Sequence, residues 1–183
     1  MSETNRQWLM CSRPVGMVKE SDFELRSSPV PEPGDGQVLV RTRWLALEPA
    51  MRGWMEDRPN YMPPVGIGEV MRGMGVGEVV KSNLDGYAPG DLVSGMLGWQ
   101  EYAVGDATAR PIPAGVDPRL ALSTLGATGV TAYYGLLEIG QPKEGDVVVV
   151  SGAAGATGSV VGQIAKLKGC RAIGIAGGAE KCT

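Results

Sequence analysis

The chain has 183 residues, with 17 Lys and Arg against 20 Asp and Glu, a formal charge of −3. That balance excludes a strongly basic nucleic-acid binder and gives an anionic membrane surface nothing to hold. Hydrophobic residues make up 43% and charged residues 20%, the proportions of a folded chain, and the absence of histidine removes Ser-His-Asp triads, Cys-His dyads and His-bearing zinc sites.

Glycine is abundant at 28 residues and phenylalanine occurs once, so the core must come mainly from Val, Leu, Ile, Met and Ala. Met1 to Arg13 mixes Glu3, Arg6 and Arg13 with polar residues and lacks an apolar stretch, so no signal peptide is expected. Cys11, Cys170 and Cys182 are odd in number and widely spaced, which predicts reduced thiols in a cytoplasmic protein rather than a disulfide scaffold or zinc ribbon.

In chain order, Asp22 to Arg26 alternates polar and apolar, the pattern of a half-buried strand. The prolines of residues 29–34 stop it. Gln37 to Trp44 predicts a second strand, with Val38, Val40 and Thr42 on one face and Leu39, Arg41 and Arg43 on the other. Glu48 to Gly53 reads as a helical turn with proline at an early position. Residues 75–81, 91–93 and 100–104 read as further strands, a series that suggests an antiparallel barrel or sandwich.

The texture changes near residue 117. Asp117 and Pro118 form a helix start, and Val130, Tyr133, Tyr134 and Leu137 fall at helical spacing, with Gly140 ending the helix. A boundary near residue 125 divides a first domain, 1–125, from a second, 126–183. Val147 to Ala165 is uncharged and contains Gly158-xxx-Gly162, but it holds eight Ser, Gly, Thr or Gln residues and no Leu or Phe. A membrane span needs roughly 20 predominantly apolar residues, so this stretch is not read as one.

Val147 to Val150 reads instead as a strand apolar on both faces, as in a buried parallel sheet. It runs into Gly152-Ala153-Ala154-Gly155-Ala156-Thr157-Gly158, then a helix with Val160, Ile164 and Leu167 on one face, then a strand over 171–176. Such a βαβ frame gives a glycine turn the meaning of a dinucleotide site, small residues for close packing being the alternative. Gly155 permits the tight turn. Gly158 and Gly162, lacking Cβ, let the helix approach strand and phosphate, while the N–H groups near Ala156 to Ser159 face the anion. The second strand ends in Ala176-Gly177-Gly178, without the acid that binds an NAD ribose, and Lys181 follows Glu180. This favours NADP(H), with Lys181 either on the 2′-phosphate or a solvated lysine in a helical turn.

The strings LALEPAMRGWM (45–55), GVGEVV (75–80), YAPGDLV (87–93), QEYAV (100–104), TGVTAYYGLLEIG (128–140) and VVVVSGAAGATGSVVGQIAKLKGC (147–170) resemble the zinc-free medium-chain dehydrogenase/reductase superfamily, in its prostaglandin reductase and curcumin reductase branch. The resemblance implies a GroES-like β-barrel followed by a Rossmann domain. It further implies NADPH-dependent reduction of the C=C bond of α,β-unsaturated ketones and aldehydes, without zinc, by a homodimer when full length. By the same resemblance Gly155, Ala156, Thr157 and Gly158 are the pyrophosphate loop, Lys181 the 2′-phosphate ligand and Thr131 a nicotinamide-lining residue. Arg52 falls on the cleft side of the barrel, and Ala50 stands where the family often has Tyr.

Such enzymes are about twice as long, so the chain is expected to be an N-terminal portion, with the family's catalytic Tyr beyond its end and the Rossmann domain cut after its second strand. With no histidine, the acid of the reaction is expected to be a Tyr, a cofactor hydroxyl or water. Tyr61 is the barrel-loop tyrosine to consider, against a packing role at the surface. An NADPH quinone reductase of the same superfamily, and a non-catalytic nucleotide-binding or interaction product, are the alternatives. Alone, the chain is expected to be inactive and unstable or oligomeric, because Val147 to Val150 and Ile173 would lie on open sheet edges.

Overall fold

The computed structural model describes residues 4–58 and 60–182. They form two compact units that divide between Arg119 and Leu120. This lies a few residues before the expected boundary at 125. Residues 120–126 are bound into the second unit: Leu125 and Gly126 N–H groups donate to Leu120 and Ser123, and the Thr128 hydroxyl and Gly129 N–H also reach the Ser123 carbonyl.

The first unit opens with β1 (Thr4–Met10), paired antiparallel with β2 (Phe23–Pro29) from Thr4–Pro29 to Met10–Phe23. A five-stranded antiparallel sheet in the order β6-β3-β4-β5-β7 supplies the body. Its members are β3 (Val38–Leu45), β4 (Gly75–Ser82), β5 (Leu92–Gly95), β6 (Tyr102–Gly105) and β7 (Arg110–Pro111). The expected two faces of β3 do not hold along its length. Register shifts between Leu39 and Val40 and between Thr42 and Trp44 reset the alternation, so Val38, Leu39 and Val40 are all buried. Between β3 and β4 lies α1 (Pro49–Trp54), which begins at Pro49 as expected. One core cluster gathers Val38, Val40, Val79, Val93 and Leu97, and a second gathers Met10, Met51, Trp54, Met55, Val65 and Met71.

β1 was not expected, and the reason is Asn5. Where an alternating strand would place an aliphatic residue, Asn5 is 0% exposed and works as a piece of backbone. Its Oδ1 accepts the Tyr102 N–H at 2.9 Å and its Nδ2 donates to the Tyr102 carbonyl at 2.8 Å. Trp8 N–H donates to the Trp99 carbonyl and Glu101 N–H to that of Arg6, continuing the seam along the edge of β1 away from β2.

The connection from β1 to β2 is closed at its base by Asp22. The carboxylate accepts the Lys19 N–H and the Ser12 hydroxyl, each at 2.8 Å, and these bonds hold its pKa below the usual aspartate range. A depressed folded-state pKa means that the unfolded chain binds more protons. Asp22 therefore contributes stability above the unfolded value of about 3.9, and that stability is lost as pH falls through the lower folded value. Asp22→Asn is expected to flatten the fall in stability on acidification below about pH 4, measured by unfolding at stepped pH. An unchanged profile would place the acid sensitivity elsewhere.

The second unit contains β8 (Val147–Ser151), α3 (Ala156–Leu167) and β9 (Arg171–Ile175), with the two strands parallel from Val147–Arg171 to Ser151–Ile175. It is the expected strand, turn, helix and strand. Before it runs α2 (Ala127–Tyr133), whose backbone relaxes into π-helical turns over Tyr134–Gly140 before Gln141 takes a left-handed conformation at φ 47°. The helix buries Gly129, Ala132 and Leu136 and leaves Val130, Tyr133 and Tyr134 exposed. Of the expected stripe only Leu137 packs, against the cluster of Leu136, Ala165 and Cys170.

α3 also differs from expectation in its inward face. Val161, Ile164 and Ala165 pack with Leu136, Val148, Cys170 and Ala172, whereas Leu167 is 86% exposed. One face of the short sheet packs against α3 through Val148 and Ala172. Val150 lies on that same face, and Val147, Val149, Ile173 and Ile175 point to the other. Among the described residues no helix is long and apolar enough to cross a membrane, and no group of three or more Cys, Asp or Glu side chains is placed to hold a metal ion.

Candidate functional site

The turn between β8 and α3 is shaped by contacts that leave no room for side chains. Gly152 has φ 60°, a left-handed conformation that glycine adopts without strain. Its carbonyl accepts the Gly155 N–H at 2.8 Å, folding the loop back on itself. A Cβ on residue 158 would lie 2.4 Å from the Gly152 oxygen, so glycine at 158 is what allows the first turn of α3 to sit on the loop. From the other side, Ala153 N–H donates to the Ile175 carbonyl at 3.0 Å and ties the loop to the end of β9.

Gly155 is the residue before the first turn of α3, and no side chain caps that end. The first bond into the helix from this position is Ser159 N–H to the Gly155 carbonyl, at 3.0 Å. The amides of Ala156, Thr157 and Gly158 thus precede any intrahelical acceptor, and they carry the positive end of the helix dipole. This donor set fits a pyrophosphate: amides without a capping oxygen, beside backbone that a ligand can approach closely.

A cavity of about 570 Å³ adjoins the turn, lined by Thr131 of α2 together with Gly152, Gly155, Thr157 and Gly158. The fold therefore brings four expected residues, Thr131, Gly155, Thr157 and Gly158, to one cavity. Ala156 occupies the first position of α3 between them. Lys181 stands apart from that lining, in a 3₁₀ turn over Ala179–Lys181 whose entry is Gly178 at φ 87°.

Gly162 has a different standing from its expected role. Nothing lies within 4 Å of where its Cβ would be, so close packing does not demand glycine there. Two residues were missed. Gly152 supplies the carbonyl around which the loop turns, and Gly174 lies where a Cβ would come 2.7 Å from Ala153 Cβ. The signal for Gly152 was its place directly after the strand, where the chain must reverse.

The two barrel candidates lie on or beside α1. Tyr61 is 73% exposed and its hydroxyl accepts the Trp54 indole N–H at 3.1 Å. Arg52 is occupied within the protein. Its guanidinium pairs with Glu56 at 3.0 Å and donates to the carbonyls of Pro14 and Gly16 at 3.1 and 3.2 Å.

Barrel strands followed by a strand, glycine turn and helix with uncapped amides define a class of fold, and the comparisons agree on that class. Residues 6–111 match the family described as the N-terminal domain of oxidoreductase. The chain belongs to that family, within the medium-chain dehydrogenase/reductase superfamily, with a GroES-like barrel and the beginning of a Rossmann fold.

Among relatives, it is 51% identical to the NADPH-dependent curcumin reductase of Escherichia coli (strain K12), covering 98% of this chain and 53% of that protein. It is 39% identical to prostaglandin reductase 1 of Rattus norvegicus, covering 96% and 53% respectively. The crystal structure of CurA from Vibrio vulnificus in complex with NADPH superposes with a TM-score of 0.90 at 50% identity, over 97% of this chain and 53% of that one. The chain thus spans about half the length of the curated relatives it matches.

Proposed function

We propose that the protein to which this chain contributes reduces the C=C bond of α,β-unsaturated ketones and aldehydes with NADPH, without zinc. The observation that carries the reading is the turn of residues 152–158, in which Gly158 lets the first turn of α3, with its uncapped amides, sit against the loop beside a cavity that Thr131 also lines. NADPH, when bound, supplies the hydride. The loop amides hold its pyrophosphate, Thr131 borders the nicotinamide and Lys181 reaches the 2′-phosphate. Naming of curcumin reductase and prostaglandin reductase 1 as relatives supports the enone substrate class. Three free cysteines suit a reducing cytoplasm, and assembly as a homodimer rests on the resemblance alone.

The test is NADPH oxidation by the full-length protein, offered but-3-en-2-one, butan-2-one or a quinone. Turnover with the enone and none with the saturated ketone is the expected result. Turnover with the quinone alone would make the protein a quinone reductase, and no turnover with any of the three would leave nucleotide binding without the reaction.

A further inference from the structure

Asp-Gly occurs twice in the chain, at Asp35–Gly36 and Asp85–Gly86, and both pairs lie in the first unit. The two turns are built alike. Each has Asp second and Gly third of four residues, with the glycine left-handed at φ 70° in Gly36 and 83° in Gly86. Each is closed by one backbone bond, from Gln37 N–H to the Gly34 carbonyl at 3.2 Å and from Tyr87 N–H to the Leu84 carbonyl at 3.4 Å. All four Asp and Gly residues are exposed, and neither carboxylate has a partner among the described residues.

What separates the turns is the glycine amide. Gly36 N–H donates to the Asn83 carbonyl at 2.9 Å. Asn83 holds the same turn from its other groups, through its N–H to the Gln37 carbonyl and its side-chain amide to the Pro33 and Gly34 carbonyls. Gly86 N–H meets no acceptor among the described residues.

That amide is the nucleophile of a known side reaction of Asp-Gly, which glycine favours because it has no Cβ to obstruct the approach. The Gly86 nitrogen bonds to Asp85 Cγ, and its proton leaves with the carboxyl hydroxyl as water, closing a five-membered succinimide. Water then opens the ring. Addition at Cγ restores aspartate, whereas addition at the main-chain carbonyl leaves the chain running through Cβ and Cγ, as isoaspartate with a free α-carboxylate. Nothing is oxidised or reduced, and the final mass equals the starting mass. An amide held by a carbonyl must first break that bond, which slows the step at Gly36.

We infer that Asp85–Gly86 is a site of spontaneous isoaspartate formation in the folded protein, and that Asn83 protects Asp35–Gly36 from the same change. The consequence is local. Leu84 and Tyr87 pack against the cluster around Val38 and Val79, and the Tyr87 hydroxyl donates to the Ala109 carbonyl at 2.6 Å. Isoaspartate adds one main-chain atom between those two anchors.

The experiment holds the full-length protein at neutral pH and physiological temperature for weeks, folded or in urea, and locates isoaspartate in its proteolytic peptides by electron-transfer fragmentation. In the folded protein, isoaspartate is expected at residue 85 about fivefold to tenfold faster than at 35, the scale of the one amide hydrogen bond that distinguishes them. In urea the two rates should converge. Asp85→Glu should abolish the product at 85, since glutamate would have to close a six-membered ring. Equal rates at the two sites in the folded protein, or no isoaspartate at 85 while the urea-treated chain forms it, overturns the inference.

Discussion

Gly158→Ala is expected to weaken NADPH binding by about tenfold or more, while Gly162→Ala leaves it within about twofold. The two glycines are four residues apart on α3 and look alike in the sequence, but a Cβ meets different surroundings at each. At 158 it would lie 2.4 Å from the Gly152 oxygen, 2.9 Å from the Gly152 carbonyl carbon and 3.0 Å from Ala153 Cα. All three are backbone atoms, so relief requires the loop itself to move away from the helix. Inserting a group into a filled space costs about 1–3 kcal/mol. Here the displaced atoms are also the ones that arrange the amides of residues 156–158. At 162 no atom beyond the neighbouring helix backbone lies within 4 Å, and alanine is a better helix former than glycine by about 1 kcal/mol, so that variant should be slightly more stable. Fluorescence titration of the full-length variants with NADPH decides the matter: equal affinity in both would mean that the cofactor does not rest on this turn.

The largest expected loss of stability comes from Asn5→Ala. Asn5 satisfies both the N–H and the carbonyl of Tyr102 in a fully buried setting, and Nδ2 also lies 3.3 Å from Gln100 Oε1. Alanine removes the partners of two backbone groups where water does not reach. Each group left unsatisfied costs about 1–3 kcal/mol, so a loss of roughly 3 kcal/mol is expected for the barrel. All four tryptophans, Trp8, Trp44, Trp54 and Trp99, lie in this unit, so urea unfolding followed by tryptophan fluorescence reports on it selectively. A change below about 1 kcal/mol would show that the seam does not depend on this side chain.

These two residues also mark what could be read in advance. The βαβ unit was legible because each of its parts is local: four valines, a glycine turn, a helix and a second strand follow one another, and the pairing joins segments close in sequence. The barrel strands over 38–45, 75–82, 92–95 and 102–105 were legible from their punctuation by glycine and proline. β1 was not, because its inward position is held by an amide whose partner is 97 residues away, and no local pattern encodes that bond. Gly158 and Gly162 could not be separated by spacing alone, since the distinction is the position of the Gly152 carbonyl. The charge of Arg52 was evident, but its use was not. The carbonyls it holds come from a loop 36 and 38 residues earlier, which only the fold brings to α1.

The seam at Asn5 also bears on how fast the barrel assembles. Bringing Asn5 to Tyr102 closes a loop of 97 residues, whereas β8 and β9 meet across a single helix. Loop-closure entropy grows only by about 0.6 kcal/mol per doubling of length, so the penalty falls on rate more than on final stability. The βαβ unit is therefore expected to be the fast-folding part of the chain. In the barrel, attachment of β1 is expected to be the late event, with little of its bonding present in the transition state. Loosening that strand should speed unfolding while leaving the earlier steps of folding almost untouched.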